Sequence, residues 1–307
     1  MRRGRAVYRS GWAVVGLTLG MAMASQVAAT QAEAVAPSMV FVGCEGETWD
    51  IFVWRQSDGA AVQLTHSPID ENGPRWSKDR KRLVYYTTEG KVYVLDVEKG
   101  QPQEVIVEDA NSRKSSPCFS PDGKSIVCVR SKPGTVDDTE IAIIDLEAKT
   151  WRTLIDQPGL QADPDWSADG RFVVYASNHC TADWGQVIQE LWVVRTDGGF
   201  CRQLLLTNSN CMRPRWSPDG KRIAFSSDKA GTFDIWVLSL EDWSLNQVTT
   251  DPGLETSPAW SPDGRQIAFI STRGGKMKIW IRDLEAGTLR PVEPFKDKTF
   301  ACRDVDW

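Results

Sequence analysis

The 307-residue chain reads as an all-β protein, a six-bladed β-propeller of four-stranded antiparallel blades, closed by one blade that its two ends share. Three observations predict this. A turn phrase recurs five times, as Trp76-Ser77-Lys78-Asp79-Arg80-Lys81, Phe119-Ser120-Pro121-Asp122-Gly123-Lys124, Trp166-Ser167-Ala168-Asp169-Gly170-Arg171, Trp216-Ser217-Pro218-Asp219-Gly220-Lys221 and Trp260-Ser261-Pro262-Asp263-Gly264-Arg265. Its aromatics lie 43, 47, 50 and 44 residues apart, and one further step of 47 reaches Trp307. A period of this size marks one supersecondary unit per repeat, stacked on its neighbours. Within each period the apolar runs are short and alternating, without a helical spacing, so the units are built of strands.

The chain opens with Arg2, Arg3, Arg5 and Arg9, an apolar run from Trp12 to Met23, and small-residue cleavage patterns at Val27-Ala28-Ala29 and Ala32-Glu33-Ala34. This is the plan of a secretory signal peptide. The apolar run falls short of the roughly 20 residues that cross a bilayer. The expectation is a leader over 1–34 and a propeller over 35–307, periplasmic or secreted, with no membrane span once the leader is removed.

The propeller begins in mid-repeat. Met39 to Val42 matches the second strand of a unit, Asp50 to Trp54 the third and Val62 to Leu64 the fourth, while the missing first strand is found at Arg303 to Trp307. Joining the two ends in one blade leaves no open gap in the ring, which is how a closed β array protects its edges. Each following period supplies its own first strand, then the turn, then runs such as Arg222 to Ser226, Asp234 to Leu238 and Gln247 to Thr249. In the turn, Pro presets φ for the first corner, Asp suits the second, and Gly takes the left-handed position that closes a three-residue hairpin. Arg80 stands where Gly is needed, so that hairpin is expected to be strained or differently shaped.

Composition excludes some functions. Removing the four arginines and one glutamate of the leader takes 36 basic and 41 acidic side chains to 32 and 40, a net charge of -8. That balance speaks against nucleic-acid binding, which needs a basic footprint. Fourteen Trp is a high number, but five of the six period-marking positions use Trp for packing. Only His66 and His179 are present, no Gly-x-Ser-x-Gly elbow occurs, and no His-Glu-x-x-His can be written, so no catalytic constellation emerges. His66 reads as a turn residue. Asp137 with Asp138, Asp163 with Asp165 and Asp304 with Asp306 are either calcium ligands or solvated loop carboxylates. None of them has the spacing of a calcium loop, so neither cofactor nor metal is assigned.

Loops joining second to third strands, and those entering first strands, share one face of the disc. The fourth blade carries an insertion there, twelve residues between Ser177 and Glu190 against six between Ser227 and Asp234 in the fifth. It contains His179, Cys180, Asp183 and Trp184. A loop aromatic is a candidate anchor for a partner; the other reading folds Trp184 back on its own blade. Asp163, Arg213, Arg303 and Asp304, near the entries to first strands, complete the candidate partner-binding set.

The phrases Pro258-Ala259-Trp260-Ser261-Pro262-Asp263-Gly264-Arg265-Gln266-Ile267-Ala268-Phe269 and Asp234-Ile235-Trp236-Val237-Leu238 resemble the repeats of the TolB-type six-bladed propeller family. The resemblance runs from 39 to 307 and includes the shared blade and the end at Trp307. It implies a periplasmic, monomeric, non-enzymatic scaffold that binds a protein or peptide of the cell envelope, in Tol-Pal-like interactions. The α/β domain that precedes the propeller in that family has no counterpart in the few residues between the leader and Met39. Similar repeats occur in prolyl-oligopeptidase-type and tricorn-like propellers, so two alternatives stay open. One is a lyase, lactonase or glycan-active enzyme with a metal in the central channel, and the other is a solute-binding or sensory module.

Seven cysteines in an oxidising compartment point to disulfides with a thiol left over. Cys44 and Cys302 fall on the loop face of the shared blade, where a bridge would lock the ends, and Cys180 in the insertion falls near Cys211. Cys128 replaces the aromatic found at Phe225 and Phe269 and reads as a buried thiol.

Overall fold

A computed structural model of the protein describes residues 38–44, 46–107, 112–132, 134–135, 138–179, 188–295 and 300–307. Six four-stranded antiparallel sheets form the six blades. Blade 1 is the composite, ordered from the channel outward Ala301–Asp306, Ser38–Cys44, Trp49–Arg55 and Ala61–Gln63. Inner strands Glu71–Trp76, Lys114–Phe119, Gln161–Trp166, Cys211–Trp216 and Glu255–Trp260 begin blades 2 to 6. The ends close the ring as the repeat phase predicts, with Phe41 opposite Val305 and Gly43 opposite Cys302.

Alternation of buried and exposed residues, expected for the middle strands, is not what the blades show. Val173, Val174, Tyr175 and Ala176 are all fully buried, because each sheet packs on a neighbouring blade on both faces. The outermost strands are the most exposed, Gln101–Glu104 throughout its length. Between blades 6 and 1, Ile270 and Ile281 meet Met39, Phe41 and Phe52, and Phe300 and Trp307 from the chain end join the same cluster.

All five turn phrases form one hairpin. In blade 3 the Gly123 amide donates to the Ser120 carbonyl at 2.8 Å and the Ser120 hydroxyl donates to Asp122 at 2.6 Å. Those bonds, the hydroxyl's foremost, hold the Asp122 carboxyl below the ordinary range. At the closing position Gly123, Gly170, Gly220 and Gly264 have φ from 68° to 73°, and Arg80 adopts 57° there. The Arg80 hairpin thus keeps its shape and takes the strain, about 1 kcal/mol for a side chain in the left-handed region. Its guanidinium lies 4.9 Å over the Trp76 ring and donates to the Ser38 carbonyl, contacts that a glycine would lack.

The Cys44 to Cys302 bridge does not form, and register gives the reason. Cys44 pairs with Ala301 and Cys302 with Gly43. The two thiols are one step out of register, and successive side chains on a strand point to opposite faces. Both are free, and burial pushes the Cys302 thiol up to about 12. Cys180 lies outside the described residues; Cys211 is buried as a thiol 3.3 Å from the Thr207 hydroxyl. Cys128 is fully buried, as expected.

Candidate functional site

The channel is lined by the six inner strands, and one bulge per strand shapes it. Three residues before each period-marking aromatic the backbone turns left-handed, at Gly73, Ser116, Asp163, Arg213, Ser257 and Asp304, with φ between 47° and 55°. The ladder to the next strand skips a step there, as between Asn72 and Arg75 or Met212 and Arg215. In five blades a proline follows, Pro74, Pro117, Pro164, Pro214 and Pro258. Proline cannot serve a ladder and settles at such a bulge. The six left-handed residues therefore form one layer across the channel, and Arg75, Cys118, Asp165, Arg215, Ala259 and Asp306, just before the aromatics, form a second.

In the layer nearer the loop face, Arg213 contacts Asp304 and the Ser257 hydroxyl. Asp163 accepts from the Ser116 hydroxyl at 3.1 Å, and Asp304 accepts from the Gly73 amide at 3.1 Å. Burial opposes ionisation of both members of the central pair, yet each overcomes it in the other: Asp304 is held below the ordinary carboxylate range and Arg213 above its ordinary value. In the second layer Arg75 bridges two carboxylates, Asp165 and, at 3.1 Å, Asp306. Each carboxylate also caps the next blade: Asp165 accepts from the Trp216 amide at 2.7 Å and Asp306 from the Trp76 amide at 2.8 Å. Burial pushes the neighbouring Cys118 thiol up to about 12.

Arg215 differs from the other charged residues here. Its Nη1 donates to the Pro214 carbonyl at 2.8 Å and its Nε has no partner. A cavity of about 30 Å³, bordered by Arg213 of one layer and Arg75 and Arg215 of the other, lies among them. Beneath them a funnel of about 250 Å³ opens on the turn face, walled by Trp76, Phe119, Trp166, Trp216, Trp260 and Trp307.

On the loop face Arg303 lies 4.2 Å over the Trp49 ring and donates to the Glu71 carbonyl at 3.3 Å, with Asp70 at 3.9 Å. His179 packs on its own blade, edge-on to Trp192 at 6.0 Å, with its amide on the Ser177 hydroxyl at 3.1 Å. Asp183 and Trp184 lie outside the described residues. The candidate set thus divides: Asp163, Arg213 and Asp304 meet at the channel, Arg303 stands at its rim, and His179 is set into blade 4. His66 is an exposed loop residue.

The carboxylates considered for calcium are engaged otherwise. Asp138 pairs with Lys132 at 3.0 Å, Asp163 takes the Ser116 hydroxyl, and Asp165, Asp304 and Asp306 take arginines. Asp137 lies outside the described residues, among which no group of three or more His, Cys, Asp and Glu is placed to hold a metal ion. Arg75 and Arg215 were not singled out in the sequence. The signal was available, because residues at one repeat position face each other across the axis, and the position before the aromatic reads Arg, Cys, Asp, Arg, Ala, Asp.

Glu71, at the head of the blade 2 inner strand, is 3% exposed and accepts from the Thr65 hydroxyl. Burial raises its pKa to about 7, with Asp50 adding to the effect. The folded state keeps a proton that the unfolded chain loses near 4.5, so stability falls as pH rises from there to 7, by up to about 3 kcal/mol. Glu71→Gln should flatten that slope in urea titrations at pH 5 and 8; an unchanged slope would refute it.

Residues 39–202 and 184–302 match the model of the TolB beta propeller domain. The Tol-Pal system protein TolB of Anaeromyxobacter sp. (strain K) is 30% identical over 133 residues, 43% of this chain and 28% of that protein, so the match spans well under two thirds of that relative. TolB from Acinetobacter baumannii superposes with a TM-score of 0.76 at 19% identity, over 94% of this chain and 71% of that one. An oligogalacturonate lyase from Vibrio parahaemolyticus superposes with a TM-score of 0.57 at 16% identity, over 83% and 74%. At these identities both superpositions speak for the fold, which hosts unrelated functions. No helix among the described residues is long and apolar enough to cross a membrane.

Proposed function

Since the chain belongs to the TolB beta propeller domain family, we propose that it is a non-enzymatic binding scaffold that holds a protein or peptide of the cell envelope on its loop face. Export by a leader over 1–34, periplasmic placement and a monomeric state belong to the same reading. The observation that carries it is the plugged channel. Ion pairs cross both layers, and the cavity of about 30 Å³ beside them has room for little more than a water. A ligand approaching from the loop face is therefore held on the surface and does not enter. A channel enzyme would need carboxylates or a base free to face a substrate or metal; here Asp165, Asp304 and Asp306 face arginines.

Exposed apolar side chains support docking between the blades. Leu206, 75% exposed, and Leu254, 40% exposed, sit in the connectors that enter the inner strands of blades 5 and 6. With Trp184 in the insertion and the Arg303 and Trp49 stack, they supply anchors of the kind that dominate interfaces. Protein recovered from envelope extracts, its amino terminus expected near Val35, should lose captured partner on Trp184→Ala by about 2 kcal/mol, roughly 30-fold. Trp243→Ala, in a turn on the opposite face, should leave capture unchanged. Equal losses from both variants, or chelator-sensitive turnover of an oligogalacturonate or lactone by the purified protein, would overturn the proposal.

A further inference from the structure

The mouth opposite the loop face has features that partner docking leaves unexplained. Arg75 has Asp165 and Asp306, and Arg213 has Asp304. Arg215 has no carboxylate within 4.0 Å among the described residues, and its one side-chain hydrogen bond among them goes to the carbonyl before it. The residue is half-buried, its Nε is shut off from solvent, and an unpaired cation costs more the further it is drawn from water. Burial, with Arg75 nearby, lowers its pKa, and the opposing pull of Asp165, Asp163 and Asp306 does not make up the difference. The two carboxylates of its layer cannot supply one, since both are turned to Arg75 and to backbone amides.

Arg215 borders both the small cavity and the funnel. Only the funnel, at about 250 Å³, has room for an organic anion. Its walls are indoles, and Nε1 of Trp76, Trp166, Trp216 and Trp307 makes no hydrogen bond, whereas that of Trp260 reaches the Arg215 carbonyl at 3.0 Å. Lys78 adds a second cation at the rim. A buried guanidinium at the base of an aromatic funnel fits one charge with an apolar body attached, and charge-assisted bonds to a carboxylate are the strong kind for arginine.

We propose that the turn-face funnel is a binding site for a small aliphatic monocarboxylate, its carboxylate on Arg215 and its tail against the indoles of Trp166 and Trp216. The site lies at the mouth away from the loop face and is independent of partner docking there. Arg215→Ala is structurally conservative because Ala259 holds the same position in blade 6.

Tryptophan fluorescence of the purified protein, titrated with sodium butyrate at constant ionic strength, should saturate with a dissociation constant on the order of a millimolar. Butyramide, the same shape without the charge, should give no saturable change. Arg215→Ala should melt at or above the wild-type temperature and bind butyrate at least tenfold more weakly. If that variant fails to fold, Arg215 is not an uncompensated charge and the proposal falls. It falls equally if wild type gives no saturable response, answers butyramide as it answers butyrate, or keeps its affinity in Arg215→Ala.

Discussion

Deleting residues 301–307 should unfold the protein or lower its melting temperature by roughly 15 °C or more. The segment is the inner strand of blade 1, and it inserts Cys302, Val305 and Trp307, each under 9% exposed, into the seam with blade 6. Burial of a large apolar side chain stabilises by about 1.5 to 3 kcal/mol, so the hydrophobic loss alone is several kcal/mol. Two further losses add to it. Loss of Asp304 and Asp306 leaves Arg213 without its carboxylate and Arg75 with one of its two, and Ser38–Cys44 becomes an unpaired edge. Differential scanning calorimetry of the truncated chain is the check. An unchanged melting temperature would mean that the ring is not held closed by this blade.

Arg75→Met should cost about 3 to 5 kcal/mol, the usual result of removing one side of a buried ion pair. Arg75 is 12% exposed, and it joins Asp165 of blade 4 to Asp306 of the adjacent blade 1. Without the cation the Asp165 and Asp306 carboxylates lose the charge they share, a deficit against wild type that urea titrations measure. Adding Asp165→Asn and Asp306→Asn should restore most of the stability, since no buried charge is then stranded. A loss under about 1 kcal/mol would show that the bridge adds little.

The repeat made the fold legible. Phase, strand order, turn chemistry and the shared blade follow from residues such as Asp263 and Gly264, whose roles are local and repeat at fixed spacing. What escaped were properties that depend on which way a side chain points. Cys44 and Cys302 were placed on the right blade but one step out of register. Asp165 and Asp306 were picked out as carboxylates without Arg75, which joins them, because Arg75 and Asp165 are 90 residues apart and touch only once the ring is closed. The bulge that turns Asp163, Arg213 and Asp304 left-handed left a trace in the prolines that follow five of its six positions. A turn-minded reading passes over it, since proline there marks a break in the ladder and not a corner.

The composite blade also sets an order in time. Ser38–Cys44 is synthesised well before its inner partner Ala301–Asp306, with the other five blades between them in the chain. Until that partner arrives, an apolar strand edge stays open to any other extended chain, the condition under which β proteins mispair and aggregate. The last step of assembly is thus the one with the longest sequence separation, and such contacts form slowly because the loop entropy must be met first. For this protein, completion of the ring is a late event that the whole chain must wait for, and whatever keeps the nascent chain extended or chaperoned until then protects the edge of its first blade.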